Sequence, residues 1–324
     1  MVNHDLAERG TNPGPTMSRL RPNLQIDHLA LGTLNRLRLR PGLPSRFDPA
    51  APEPGRIAFD DQREVLETEA RFIAQERSCV QSMVASAPSD PGLFIDWFES
   101  LREVGPGQND PLFEYLAEEA TFEELRWFIR QEVAGEAGFE DLVALTQLKM
   151  PQRAKLELAL NYWDEMGRGK PAAMHGPLLD RLARVLGVEA TPPEEIVWEA
   201  LAVANLMVAM AFDRRYAFHS IGALGVIELT APTRAVRVVR AFDRLGVDSE
   251  ASFYFRLHAS IDIRHWAGWR KNVLTSVLAD HPEVTWCLAE GALMRLRAGA
   301  RTFDRYRAEL GLGSRQLGIE PSRS

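Results

Sequence analysis

From Asp60 onward, apolar residues recur at three- and four-residue intervals, and no stretch alternates apolar and polar positions between turn signals. The pattern predicts helices over 60–85, 91–103, 111–119, 121–149, 152–166, 171–187, 194–230, 232–246, 249–279 and 282–310, and no β-structure. The predicted ends carry suitable local chemistry. Thr121 stands three residues before Glu124, the spacing of a capping box. Pro151, Pro171, Pro232 and Pro282 stand where a first helical turn tolerates proline. Gly187 and Gly246 follow apolar runs, as C′ glycines do. Residues 1–60 break the pattern, because they hold eight prolines of the chain's twenty, and each removes a helical N–H and clashes with the preceding turn. They are expected to form a poorly ordered arm or one that wraps the surface, with a short helix near Asp27–Leu37. The expectation is a single all-α domain over 61–315 and a tail over 316–324.

Composition narrows the classes. With 324 residues, 45% hydrophobic and 26% charged, the chain is long enough to bury a sizeable core without staples. A net charge of −7 leaves no basic surplus for phosphates, so nucleic acid is not an expected partner. Two cysteines, Cys79 and Cys287, make neither a disulfide framework nor a zinc cluster. No uncharged apolar run reaches membrane-spanning length. The N-terminal MVNHDLAERGTNPGP has no apolar leader core, so a cytoplasmic location and no membrane partner are expected.

Polar residues on otherwise apolar helices supply the candidate chemistry. His258, Asp262 and His265 are spaced by four and three residues and fall within roughly a 60° arc of one helix face. Ala251 and Trp269 share the arc, so the face should be buried. Two imidazoles and a carboxylate there need partners. A metal supplies them, and mixed imidazole and carboxylate ligands suit iron or manganese. The plain alternative is an Asp–His ion pair on a half-exposed face. Glu165 closes one predicted helix and His175 opens the next, and the loop Gly167–Lys170 lets both reach one point. Ordinary capping, with Asp164 or Glu165 as solvated surface, competes with that reading. Glu228 is the only charge in Ser220–Ala231, where Gly222 and Gly225 permit close helix approach. A lone buried carboxylate needs a partner or a metal, unless Glu228 reaches water or an arginine such as Arg234.

On the predicted helix 121–149, Glu132 and Glu136 lie one turn apart on an apolar stripe. If that helix and the next form an antiparallel hairpin turning near Met150, Glu136 stands level with Glu165, and Glu132 with Arg168. Glu136 is therefore favoured over Glu132, with a surface salt bridge as the alternative for either. Helix bundles build di-metal sites from inward Glu and His on facing helices. The E-x-x-H motif of many such sites is absent, since Ala172 lies three before His175, and D-x-x-H occurs once, at Asp262–His265. HExxH is also absent, which argues against a zinc protease. Tyr162, Tyr254, Phe255, Trp266 and Trp269 are candidate cavity aromatics or plain core. Arg215, Tyr216 and His219 interrupt an apolar helix as candidate substrate-binding groups, the arginine for a carboxylate, or as an exposed patch.

The stretch NYWDEMGRGKPAAMHGPLLDRLARVLGV (161–188), with Glu165 and His175, resembles the haem-oxygenase-like di-iron oxidases, the iron-containing redox enzymes. Glu228, His258 and the following H-x-x-x-D-x-x-H are similar to the same family. The resemblance covers roughly 110–280 and implies an all-α, haem-oxygenase-like helical bundle. It implies Glu136, Glu165, His175, Glu228, His258, Asp262 and His265 as metal ligands, two Fe2+ (or Fe/Mn) as cofactor and O2 as co-substrate. It further implies oxidation of a small amine, amino acid or carboxylic acid, by N-oxygenation, C–C cleavage or desaturation. An electron donor and a homodimer are the partners it leaves open. The competing reading is a metal-free all-α ligand-binding or interaction protein, whose buried polar groups are salt bridges.

Overall fold

In a computed structural model, the residues described here are 23–41 and 59–312. They form helices throughout, with no strand among them, as the apolar spacing predicts. In chain order these are α1 (Leu24–Leu39), α2 (Phe59–Val84), α3 (Pro91–Val104), α4 (Pro111–Glu118), α5 (Phe122–Gly135), α6 (Phe139–Thr146) and α7 (Gln152–Glu165). There follow α8 (His175–Leu186), α9 (Trp198–Phe212), α10 (Ala217–Leu245), α11 (Phe253–Gly268), α12 (Thr275–Asp280) and α13 (Thr285–Glu309).

The architecture is an all-α bundle around α10, which packs on α13, α11, α9 and α4. Sixteen α10 residues are buried, and its first half is almost wholly apolar. Close approach to α13 depends on a missing side chain: a Cβ at Gly222 would overlap the Leu288 carbonyl. Two apolar clusters result. One gathers Phe94, Phe98, Leu206, Leu224, Trp269 and Leu288. The other gathers Phe113, Phe128, Leu182, Phe242 and Tyr306. The polar site lies where α5, α7, α8, α10 and α11 converge.

Several local expectations hold. Thr121 and Glu124 form the capping box, and Gly187 and Gly246 adopt left-handed C′ conformations with φ of 63° and 71°. Four boundaries differ from the sequence reading. The predicted helix 121–149 breaks after Gly135, and Gly138 turns the chain at φ 72°, so Glu136 is the C-cap of α5 rather than a mid-helix residue. The predicted helix 194–230 divides at Asp213, whose carboxylate accepts from the Arg215 N–H and caps a short 3₁₀ turn. Pro232 lies inside α10 instead of starting a new helix. It removes one hydrogen bond, a local cost of about 3 kcal/mol that burial along α10 outweighs. The predicted helix 249–279 starts at Phe253 and passes through a π-helical turn, Trp269–Leu274, before α12.

Within the N-terminal arm, α1 extends the short helix expected near Asp27–Leu37, and Asn23 caps it by accepting from the Ile26 N–H. It lies against α9 and α2, where the Asn35 side chain donates to Asn205 Oδ1 at 2.8 Å and Asn205 donates to the His28 carbonyl at 2.9 Å. The rest of the arm and the tail lie outside the described residues. Among those described, no helix is long and apolar enough to cross a membrane.

Candidate metal centre

Local sequence explains how Glu165 and His175 meet. Glu165 is the last residue of α7 and His175 the first of α8. The connection turns at Gly167, φ 59°, where a Cβ would lie 2.6 Å from the Ala173 carbonyl carbon. Only glycine fits so tight a return, and it brings His175 Nδ1 to 2.9 Å from Glu165 Oε2. Both side chains are buried.

Helix α11 supplies the opposite wall. His258 Nε2 lies 3.8 Å from Glu165 Oε2, and His265 Nδ1 lies 3.6 Å from Glu165 Oε1. Glu228 of α10 approaches His265 Nδ1 to 3.3 Å through Oε2, while its Oε1 accepts from Asn161 Nδ2 at 2.6 Å. That amide, and not Arg234, is the partner of Glu228. Asp262 Oδ1 stands 4.0 Å from His265 Nδ1, and Glu136 Oε1 stands 3.7 Å from His175 Nε2. Glu136 also accepts from the Phe139 N–H at 2.9 Å, which pins it at the break after α5. All seven carboxylates and imidazoles singled out in the sequence for this site therefore converge.

Two sets of donor atoms result, each with its atoms within 4.8 Å of one another: Glu165, His175 and His258, and Glu165, Glu228 and His265. Glu165 belongs to both, one oxygen turned toward each. The imidazoles are held in usable orientations. His258 Nδ1 bonds the Tyr254 carbonyl at 2.7 Å, which leaves Nε2 facing Glu165. His265 Nε2 bonds Asp164 Oδ2 at 3.3 Å, which leaves Nδ1 facing the carboxylates. That Nδ1 is buried and makes no hydrogen bond despite three carboxylates around it. An orphaned ring nitrogen beside buried carboxylates fits a metal ligand, and the donor chemistry suits iron or manganese.

Electrostatics give the same picture. Burial opposes the charged form of every group here. For His265 the Glu228 and Glu165 carboxylates outweigh burial and raise the pKa to about 9. Burial likewise opposes the His175 imidazolium, yet Glu136 and Glu165 hold its pKa well above the ordinary value. Glu165 is pushed up by burial, but His175 and His258 bring it far below the usual carboxylate range. Asp262 goes the other way: burial, with repulsion from Glu228 and Glu165, raises it strongly despite the attraction of His258. Too many carboxylates for too few cations gather here, and protons make up the difference.

The sequence reading missed Asp164, Asn161 and Tyr254 as supporting groups. Asp164 is buried between His265, Arg168 and Arg264, with Arg168 Nε donating at 2.6 Å. Its signal was the D-E pair with Arg168 four residues on. Asn161 sits one turn before Glu165, on the same face. The Tyr254 hydroxyl and His175 Nε2 are hydrogen-bonded at 3.1 Å. Of the candidate aromatics, Tyr254 and Phe255 line the cavity beside the site, whereas Trp266 and Trp269 are core and Tyr162 packs against it. Arg215, Tyr216 and His219 do not line it. Arg215 is exposed and paired with Asp213, and His219 is buried against Glu290 at 2.8 Å. The physical reason is distance, since His219 lies nine residues from Glu228, about 13 Å along α10.

A family model described as iron-containing redox enzyme matches residues 126–300, more than half of the chain. The chain belongs to the iron-containing redox enzyme family. The matched segment contains every one of the seven converging residues. A solved structure from Nostoc punctiforme PCC 73102, titled a CADD-like protein of unknown function, is similar at 19% identity and a TM-score of 0.49. The likeness covers 74% of this chain and 97% of that one. No curated protein matches the chain.

Proposed function

We propose that this member of the iron-containing redox enzymes is a non-haem di-iron oxidase or oxygenase that uses O2 to oxidise a small amine, amino acid or carboxylic acid. The observation that carries the reading is the position of Glu165, one oxygen toward His175 and His258 and the other toward His265 and Glu228. On this reading Glu165 would be the ligand common to both irons, with His175, His258 and Glu136 available to hold one and His265, Glu228 and Asp262 the other. Bound iron supplies electron transfer to O2. Asp164 and the Tyr254 carbonyl fix which ring nitrogen of His265 and His258 faces inward, as supporting groups of metal sites commonly do. Asn161 holds Glu228 in place. The apolar wall of Phe139, Leu142 and Leu179 keeps bulk water from the reacting end of the cavity.

The test is metal content and oxygen use. Anaerobic loading with ferrous ion is expected to give about two irons per chain and an absorption transient on exposure to O2. His265→Ala and His258→Ala are each expected to abolish iron-dependent oxygen consumption while helicity by circular dichroism is retained. A chain that folds normally and takes up no iron would be a ligand-binding or interaction protein instead.

A further inference from the structure

The cavity that opens onto the Glu165 cluster has a second charged end. Its volume is about 160 Å³, space on the order of ten water molecules. Arg234 of α10 and Arg295 of α13 both line it. Arg234 is six residues beyond Glu228, about 9 Å along the helix. Neither guanidinium forms an ion pair with a carboxylate among the described residues. Arg234 has one long contact, Nη1 to Thr230 Oγ1 at 3.4 Å, and otherwise lies over the Phe113 and Phe303 rings at 6.0 and 5.7 Å. Arg295 Nε is buried without a partner. A Cβ at Gly299, one turn on, would stand 2.9 Å from Arg295 Nη1, so the glycine leaves room for this cation.

Unpaired buried cations are costly, and a chain that keeps two side by side in a cavity needs something to neutralise them. We propose that Arg234 and Arg295 bind the carboxylate of an apolar-chain acid, whose oxidisable part reaches toward Glu165. The proposal rests on the di-iron reading for the reaction and stands apart from it for binding.

Charge balance selects the ligand. Two divalent cations would neutralise Glu136, Glu165, Glu228 and Asp262. Glu132, which faces the arginines, offsets at most one of them. One positive charge is left, and a single carboxylate matches it, in the fork geometry that guanidinium prefers. An amine at this end would meet two like charges. Much of the remaining lining is apolar, Phe128, Val203, Ala235 and Val238 among it, so the cavity takes a hydrocarbon chain.

The test is calorimetric titration of the full chain with hexanoate, hexylamine and hexanamide, in metal-free and anaerobic ferrous-loaded forms. Hexanoate is expected to bind both forms, with the amine and amide about tenfold weaker or worse. Binding by the metal-free chain separates capture by the arginines from coordination at iron. Arg234→Met and Arg295→Met are each expected to weaken hexanoate about tenfold, and Arg234→Lys, which keeps the charge without the fork, to weaken it less. Without ligand, both methionine variants are expected to melt no lower than the natural chain, since each removes the excess positive charge that Glu132 leaves. Equal binding of hexylamine, undiminished binding by the arginine variants, or melting several degrees lower would overturn the proposal, the last by marking the cations as structural. Hexanoate binding without iron uptake would remove the di-iron reading and leave this one. Two irons per chain with no response to hexanoate would do the reverse.

Discussion

The two ends of one cavity handle buried charge in opposite ways. At the α7–α8–α11 end, each imidazole lies against carboxylates, and Glu165 alone approaches His175, His258 and His265. At the α10–α13 end, two guanidiniums share the field of Glu132, with Asp262 also acting on Arg234 and Glu136 on Arg295, and neither forms an ion pair among the described residues. The first end is a closed network in which protons or metal ions complete the balance. The second is open. Burial, then repulsion from Arg295, presses the Arg234 pKa down to about 10, which still leaves it cationic at neutral pH. Breaking a satisfied buried pair leaves an uncompensated charge, whereas removing an uncompensated charge relieves a cost. Deleting a group should therefore be expensive at the first end and cheap at the second.

The largest effect should come from Glu165→Ala. Three imidazoles lose their common anion, and removing one partner of a buried ionic network costs about 3–5 kcal/mol. Denaturant unfolding of the metal-free chain at pH 7 measures this directly. The same variant removes the member common to both donor sets, so iron uptake should fall from about two per chain to nearly none. A metal-free stability within about 1 kcal/mol of the natural chain would erase the contrast with Arg295→Met and show that the network contributes little.

How much of this contrast was legible in the sequence follows from where each signal lies. The closed end was readable because its groups fall on regular helical spacing: His258, Asp262 and His265 share an arc, and Glu165 and His175 flank a glycine turn. The level match of Glu136 with Glu165 assumes one unbroken helix over 121–149. The convergence is real, but the helix is not, because Gly135 and Gly138 end it and hand Glu136 to a cap. Asp164 reads as surface because the sequence does not show that α11 returns His265 to it from 101 residues away. The open end left no local trace. Arg234 is one of four arginines on α10 and Arg295 one of five on α13, in a chain where arginine supplies most of the positive charge. Only the packing of α10 on α13 puts them in one cavity. Arg215, Tyr216 and His219 illustrate the converse: a polar interruption in an apolar helix marks a capped helix junction away from the cavity.

The next effect in size is a pH dependence centred on the closed end. The folded-state pKa of His265 is raised to about 9 from 6.5, and those of His175 and His258 are raised as well. A group whose pKa is higher in the folded state contributes stability that is complete below its unfolded pKa and is lost as pH climbs through the folded value. Metal-free protein should therefore melt at progressively lower temperature from about pH 6.5 to about pH 9. Asp262 adds to the fall with the same sign, because its folded pKa is also raised. Bound iron takes the place of those protons, so the iron-loaded chain should show a much flatter profile over this range. At the open end burial raises the Glu132 pKa while Arg234 and Arg295 hold it down, so Arg234→Met and Arg295→Met should raise it further and steepen the fall with pH rather than flatten it. Parallel profiles for the metal-free and loaded forms would mean that the metal sits elsewhere.

The smallest effect tests whether the closed end tolerates the loss of a neutral partner. Tyr254 serves it twice, through the hydroxyl bonded to His175 Nε2 and through the backbone carbonyl bonded to His258 Nδ1. Tyr254→Phe removes the first contact and leaves the second, because the carbonyl belongs to α11 whatever the side chain. His258 should keep its orientation, and His175 should keep Glu165 at its other ring nitrogen. The expected loss is about 0.5–1.5 kcal/mol, the net worth of one hydrogen bond, with iron uptake unchanged at about two per chain. A fall to about one iron would make the hydroxyl a determinant of the His175 side of the site. Unchanged uptake with the small loss would show that the end depends on its charges, of which Tyr254 contributes none: burial first, then the nearby carboxylates, keeps its phenol protonated far above the ordinary range.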